Sequence, residues 1–347
     1  DIGVTGVQTC ALPISMAGRQ CPTGELAERL IRENPDHPAR GLARMLVEQS
    51  NRAITIEQAR SAIRYRLGQS GTERRKIRPQ VRPPRAPGQM VELPASKAEP
   101  WTPHVVEVVG RVGILSDVHV PYHDETAVRA AVGHLVDIGI DALVLNGDIA
   151  DFYAISRYMK DPAQRDFRGE LEAVRQFVAW LRQQFPDIPM VLKAGNHEER
   201  WNHWLWQHAP EISEERMMSL AAWMHLDQHG IELVEDKRPI LLGRLPVLHG
   251  HEKGTGISAP VNQARGAFLR LHHTVLEGHG HRTSVHCEPD MWHSETTCWS
   301  TGCLCDLTPD YARLNKWNHG FAVVDVHAGG EFDVQNLRIV GDKVRTS

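Results

Sequence analysis

The sequence predicts an α/β layered fold over residues 105–347, built around a largely parallel central sheet, with a small helical module ahead of it. Three observations lead there. From about Val105 strand and helix patterns alternate, as they do when crossover helices join parallel strands. After Thr296 the patterns return to strands, for which a second sheet is expected. And one strand-like run after another ends in a residue able to hold a metal, where open α/β sheets gather their ligands.

At the start of the chain, DIGVTGVQTCALPIS contains VTGVQTCALPI, which is similar to the conceptual translation of a short-read sequencing-library adapter. Residues 1–15 are therefore expected to be non-native, with a natural start at Met16, and Cys10 carries no weight. Residues 16–68 then read as helices. Thr23 can cap a first carrying Leu26, Leu30 and Ile31, and a second carries Leu42, Met45 and Leu46. The third opens with the capping-box pair of Thr55 and Gln58 and puts Ile56, Ala59, Ile63 and Leu67 on one face; Gly68 can end it. Two readings of this module stand side by side. It is a helix-turn-helix unit whose last helix presents Arg60, Arg64 and Arg66 to phosphates, or a small bundle with a solvated arginine face. Residues 69–104, with RRKIRPQVRPPR, read as an Arg/Pro-rich linker.

Charge divides at the same place. Residues 16–100 hold 16 Lys+Arg against 9 Asp+Glu, whereas residues 101–347 hold 23 against 33. A basic leader on an acidic body suggests two jobs, the first involving a polyanion. No apolar run is long enough to span a bilayer, so no membrane partner is expected. The 6 cysteines follow no repeated framework. That points to a reducing compartment, and a cytoplasmic location is expected.

In the larger region VVGRVGILSD, DALVLNGD and PMVLKAGNHE read as strands, with helices at Glu125–Ile138 and Glu170–Phe185 between them; GFAVVDV and FDVQNLRIV are strands of the tail. The apolar runs end in Asp117 and His119, Asp148, Asn196 and His197, His249, and His279 and His281. A strand puts residues i and i+2 on one side, so Asp117/His119 and His279/His281 are expected to act as pairs. Carboxylate and amide oxygens with imidazole nitrogens suit manganese, iron, zinc or nickel better than calcium or magnesium. Seven of these eight taken as ligands would oversupply one metal and be about right for two.

In this order, D-x-H, G-D-x-x-D, G-N-H-E, H-G-H and G-H-x-H resemble the calcineurin-like metallophosphoesterase family. They span Asp117–His119, Gly147–Asp151, Gly195–Glu198, His249–His251 and Gly278–His281. The resemblance covers about residues 110–285 and implies two packed sheets flanked by helices. It further implies that Asp117, His119 and His281 hold one divalent metal, that Asn196, His249 and His279 hold a second, and that Asp148 bridges them. His197 would contact the phosphate or protonate the leaving oxygen, and Asp151 would orient it. The nucleophile would be a hydroxide bridging the metals, manganese being the ion expected first.

One departure matters. Protein Ser/Thr phosphatases of the family follow G-D-x-x-D with an arginine that grips phosphate, and here Phe152 stands in its place. A guanidinium fork would have to come from Arg200 or Arg282. The expectation is therefore a phosphodiesterase, with nucleic acid as a candidate substrate, as would suit a phage or bacterial DNA-processing enzyme. A phosphomonoesterase acting on a nucleotide or phosphoprotein is the first alternative, and a nucleic-acid-binding protein on an inactive phosphoesterase scaffold the second. Trp201, Trp204 and Trp206 could stack on bases or pack a cap helix. Cys287, Cys298, Cys303 and Cys305 are read as small buried residues rather than a zinc site.

Overall fold

Thr55 Oγ1 accepts the Gln58 N–H at 3.2 Å while Gln58 Oε1 accepts the Thr55 N–H at 2.9 Å, closing the capping box that the sequence predicts. It opens the last of three helices, α1 (Pro22–Glu33), α2 (Ala39–Gln49) and α3 (Ile56–Arg66). At the other end Gly68, at φ +68°, donates to Tyr65 O and Gln69 donates to Arg64 O, a Schellman ending. Leu30, Ile31, Leu42, Leu46, Ala59, Ile63 and Leu67 form one fully buried core between these helices. Thr23 does not cap α1: the helix begins one residue earlier, and a proline is at home in a first turn because its missing N–H would be unpaired there anyway.

The structure is a computed structural model and describes residues 22–51, 53–69, 93–159, 161–253 and 261–346. The expected non-native segment 1–15 and most of the expected linker lie outside the described residues. Two compact units divide between Ala98 and Glu99. The last residues read as linker are tied into the second unit, where Trp101 Nε1 donates to Asp236 O at 2.9 Å and Arg238 Nε donates to Thr102 O at 2.8 Å. No helix among the described residues is long and apolar enough to cross a membrane.

Two mixed sheets make up the second unit. One sheet holds β1 (His104–Val106), β6 (Ile240–Leu242), β7 (Leu245–Leu248), β8 (Val275–Glu277), β10 (Glu295–Ser300) and β9 (Ser284–Pro289), in that order. The other holds β13 (Lys343–Thr346), β12 (Phe332–Val340), β11 (Gly320–Val326), β2 (Gly110–Leu115), β3 (Ala142–Asn146), β4 (Met190–Lys193) and β5 (Ile231–Val234). Pairing is parallel from β2 to β5 and antiparallel from β2 through β11 and β12 to β13, so the predicted parallel sheet occupies one half of this one.

Period-two burial explains the layering. Val112, Ile114, Val144, Val191, Ala322 and Val324 join Ile240, Leu242, Val247 and Leu276 of the other sheet in one apolar layer. Leu115, Leu143, Leu145, Leu192 and Val323 point the opposite way, into a core shared with helices. Strands apolar on both faces need a cover on each side. The outer cover comes from α4 (Glu125–Ile138), capped by Asp124, and α5 (Phe167–Gln184). Helix α5 buries Leu171, Val174, Phe177, Val178 and Leu181 as the spacing predicts. It starts three residues before Glu170 because Asp166 accepts the Gly169 N–H at 2.9 Å.

Candidate metal centre

The loops after β2, β3, β7 and β8 stay zipped together past the strand ends. Asp117 N–H donates to Gly147 O at 3.0 Å, His119 N–H to Asp148 O at 2.9 Å and Gly278 N–H to His249 O at 2.9 Å. Asp117, His119, Asp148, His279 and His281 all have positive φ, between 51° and 62°. The pairing of residues two apart through the pleat of a strand is therefore wrong: β2 stops at Leu115 and β8 at Glu277, and left-handed backbone turns these side chains inward. Non-glycine residues adopt that conformation at a cost, and such strain gathers at functional sites. Gly195 is required by close approach, since a Cβ there would lie 2.5 Å from the Asp148 amide nitrogen.

Two sets of donor atoms result. His281 Nε2 lies 3.1 Å from Asp117 Oδ1 and 3.3 Å from His119 Nε2, which is 3.8 Å from Asp148 Oδ2. Asp148 Oδ2 is also 3.3 Å from His249 Nε2, itself 3.3 Å from Asn196 Oδ1. His279 brings a ring nitrogen within 4.8 Å of the donor atoms of Asp148 and His249. Asp148 belongs to both sets.

Several details fit a cation better than a closed hydrogen-bond network. His119 Nδ1 lies 2.9 Å from Asp151 Oδ1, and His249 Nδ1 lies 2.8 Å from Asn146 O. Each acceptor fixes the proton on Nδ1 and leaves a lone pair on Nε2, aimed into the site. Asp117 Oδ2 accepts from Ser116 Oγ and, at 2.9 Å, from the His279 N–H, which leaves the fully buried Oδ1 facing His281 Nε2 at 3.1 Å. Burial alone would raise the Asp117 carboxyl, but neighbouring His281 outweighs it and holds the group below its ordinary value.

His197 lies at the edge of both sets. Its Nδ1 is 2.8 Å from the Asp151 carbonyl oxygen and 3.2 Å from Asp151 Oδ1, while Nε2 is 2.8 Å from Arg200 Nη2. The Asp151 carboxylate thus serves two histidines and stands closer to His119 than to His197. Burial lowers His197, but Asp148 and Asp151 prevail and leave it above its ordinary value. Of the two candidate arginines, Arg200 reaches the site, donating also to Asp151 O at 2.7 Å. Arg282 instead sends Nη2 to Val261 O at 2.8 Å. Phe152 is buried and packs on Phe167 with ring centroids 6.1 Å apart.

Other candidates fall elsewhere. Trp201 is buried, stacks on Phe167, and donates Nε1–H to Met218 O at 2.6 Å; Trp204 stacks on Trp201 and His208. Trp201 and Trp204 thus pack a cap, whereas Trp206 is exposed, with its ring 5.5 Å from that of His203. In the first unit Arg60 pairs with Glu57 and Arg66 with Glu28, while Arg64 is exposed. Two residues near the centre had no motif of their own to announce them: Cys305, whose Sγ is 3.8 Å from His281 Nδ1, and Trp317, whose ring centroid is 4.2 Å from that of His281. Both sit in the connection between β10 and β11. Cys287, grouped with the buried cysteines by the sequence, is exposed.

Comparison with known proteins agrees with this geometry. The model of the calcineurin-like phosphoesterase family matches residues 110–324. The gene 54 protein of Mycobacterium phage L5 is 28% identical over 245 residues, covering 67% of this chain and 95% of that protein. The gene 54 protein of Mycobacterium phage D29 is 26% identical over 247 residues, with the same coverage. Among solved structures, a dimetal phosphatase from Danio rerio is similar at 13% identity over 69% of this chain and 99% of that one, with a TM-score of 0.34, too low to bear on chemistry.

Proposed function

Because the chain belongs to the calcineurin-like phosphoesterase family, we propose that it is a divalent-metal-dependent phosphodiesterase, with nucleic acid as its candidate substrate. The observation that carries this reading is the place of Asp148, one buried carboxylate common to two sets of inward donor atoms. Asp117, His119, Asp148 and His281 would hold one cation, and Asp148, Asn196, His249 and His279 the other. The mixed oxygen and nitrogen donors suit manganese, with iron, zinc and nickel as competitors. Two such ions supply charge neutralisation and water activation for an in-line displacement at phosphorus.

This chain's own groups do the rest. Arg200 offers an N–H to a non-bridging phosphoryl oxygen; once its Nη2 leaves His197 Nε2, which accepts from it at 2.8 Å, that nitrogen can take up the proton that a leaving oxygen needs. The diester preference rests on the arginines. A monoester dianion calls for an uncommitted guanidinium fork, whereas Arg200 already spans His197 and the Asp151 carbonyl and Phe152 is buried. A diester carries one charge less. The basic helical unit, with Arg64 on its surface, we propose as a second contact to nucleic acid.

The test is manganese-dependent hydrolysis of bis-p-nitrophenyl phosphate and p-nitrophenyl phosphate by the wild type and Asp148→Asn. Diester turnover that disappears in the variant supports the proposal. Monoester turnover alone replaces it with a phosphomonoesterase. No turnover with manganese, iron, zinc or nickel leaves the scaffold alternative.

A further inference from the structure

The side of the candidate centre formed by His281 continues into aromatic rings. Trp317 packs edge-on against His281 with centroids 4.2 Å apart, and Tyr311 packs edge-on against Trp317 at 6.2 Å. Trp317 is half-buried, and Tyr311 is 73% exposed. The three rings thus run from a donor residue out to solvent.

The segment carrying the two outer rings is pinned. Asn315 Nδ2 donates to Leu307 O and Ala312 O at 2.6 and 2.7 Å, and its Oδ1 accepts the Trp317 N–H at 2.8 Å. Next along, Asn318 N–H donates to His281 O at 3.0 Å, and Asn318 Oδ1 accepts the Thr283 N–H at 2.9 Å. The platform is therefore tied through the backbone to the histidine it adjoins. A rigid, partly exposed pair of rings beside a phosphate-handling centre has the attributes of a stacking surface, and stacking tolerates any base because every base has a π-face.

We propose that Trp317 and Tyr311 form a stacking subsite for a nucleobase attached to the scissile phosphate, which makes the substrate a single-stranded or frayed nucleic acid strand. This rests on the phosphodiesterase reading above and replaces the packed Trp201 and Trp204 as the base platform. The occupant is a flat aromatic group one sugar away from the phosphorus, not the backbone alone.

The experiment compares a tetrathymidylate with an abasic strand of the same length and backbone, using manganese-loaded full-length protein. Cleavage is followed chromatographically and binding calorimetrically, for wild type, Tyr311→Leu and Tyr311→Phe. The expected result is that wild type favours the thymidine strand at least about 10-fold in kcat/KM or affinity. Tyr311→Leu should lose most of that preference, and Tyr311→Phe, which keeps the ring, should retain it. Equal handling of the two strands by wild type, or a preference unchanged in Tyr311→Leu, overturns the subsite. If bis-p-nitrophenyl phosphate is cleaved but neither strand is cleaved or bound, the subsite falls and the phosphodiesterase reading stands. If no diester is cleaved at all, that reading falls, and the binding preference and its loss in Tyr311→Leu still decide the subsite.

Discussion

Glu198 holds the backbone of Asp148 in place. Its Oε2 accepts the Asp148 N–H and the Gly195 N–H, both at 2.8 Å, while Oε1 accepts the N–H groups of Ile149 at 2.8 Å and Ala150 at 3.0 Å. One fully buried carboxylate thus clamps the loops after β3 and β4, and with them the residue shared by both donor sets.

Replacing Glu198 by Gln keeps the shape but turns an amide NH2 toward two N–H groups. Hydrogen bonds to a charged acceptor contribute about 1.5–3 kcal/mol each, so the variant should lose roughly 3 kcal/mol of stability. Denaturant unfolding of the second unit measures it. A loss below about 1 kcal/mol would show that the clamp is dispensable.

Asp148→Asn should bind metal differently before it affects anything else. With the shared anion gone, metal analysis should find two tightly held manganese ions per chain in the wild type and at most one in the variant. Diester turnover should fall by roughly 100-fold or more. Two tightly held ions in the variant would show that Asp148 is not the group that joins the sets.

Asp151→Ala should weaken metal binding as well as chemistry, because Asp151 Oδ1 is nearer to His119 Nδ1, at 2.9 Å, than to His197 Nδ1, at 3.2 Å. Losing the group that orients a ligand histidine lowers metal affinity about 10–100-fold. Equilibrium dialysis separates the two roles: a fall in kcat with unchanged affinity would assign Asp151 to His197 alone.

Glu170 makes stability depend on pH. Burial, first, and then Asp151 raise its carboxyl from 4.5 to about 7, against the Ala154 N–H that Oε1 accepts at 3.1 Å. The native state therefore binds this proton more tightly than the unfolded chain does. Its contribution is complete below pH 4.5 and is lost as pH rises through about 7. The loss amounts to at most about 3 kcal/mol. Glu170→Gln should remove this dependence, gaining stability relative to wild type between pH 5 and pH 8 in thermal melts. A constant difference across that range would place the charge elsewhere.

The sequence by itself determined the elements and the donor residues. Glu125–Ile138, Gly320–Val326 and Phe332–Val340 have in the structure the limits that their patterns predict, because helices and strands buried on known faces impose periods of 3.6 and 2. The capping box at Thr55 was legible because capping is local. A strand as short as Ile240–Leu242 was not, since three residues cannot display a period.

Only the tertiary structure decided how the centre is assembled. The left-handed turns at Asp117, His119, His279 and His281 replace the pleat as the reason these side chains meet. That Arg200 reaches the site, that Asp151 serves both His119 and His197, and that Trp317 rather than Trp201 packs on His281 all depend on residues distant in sequence. Such contacts leave no periodic trace along the chain. Pattern records which face of an element is buried; the partner of a buried polar group is set by whatever the fold brings opposite it.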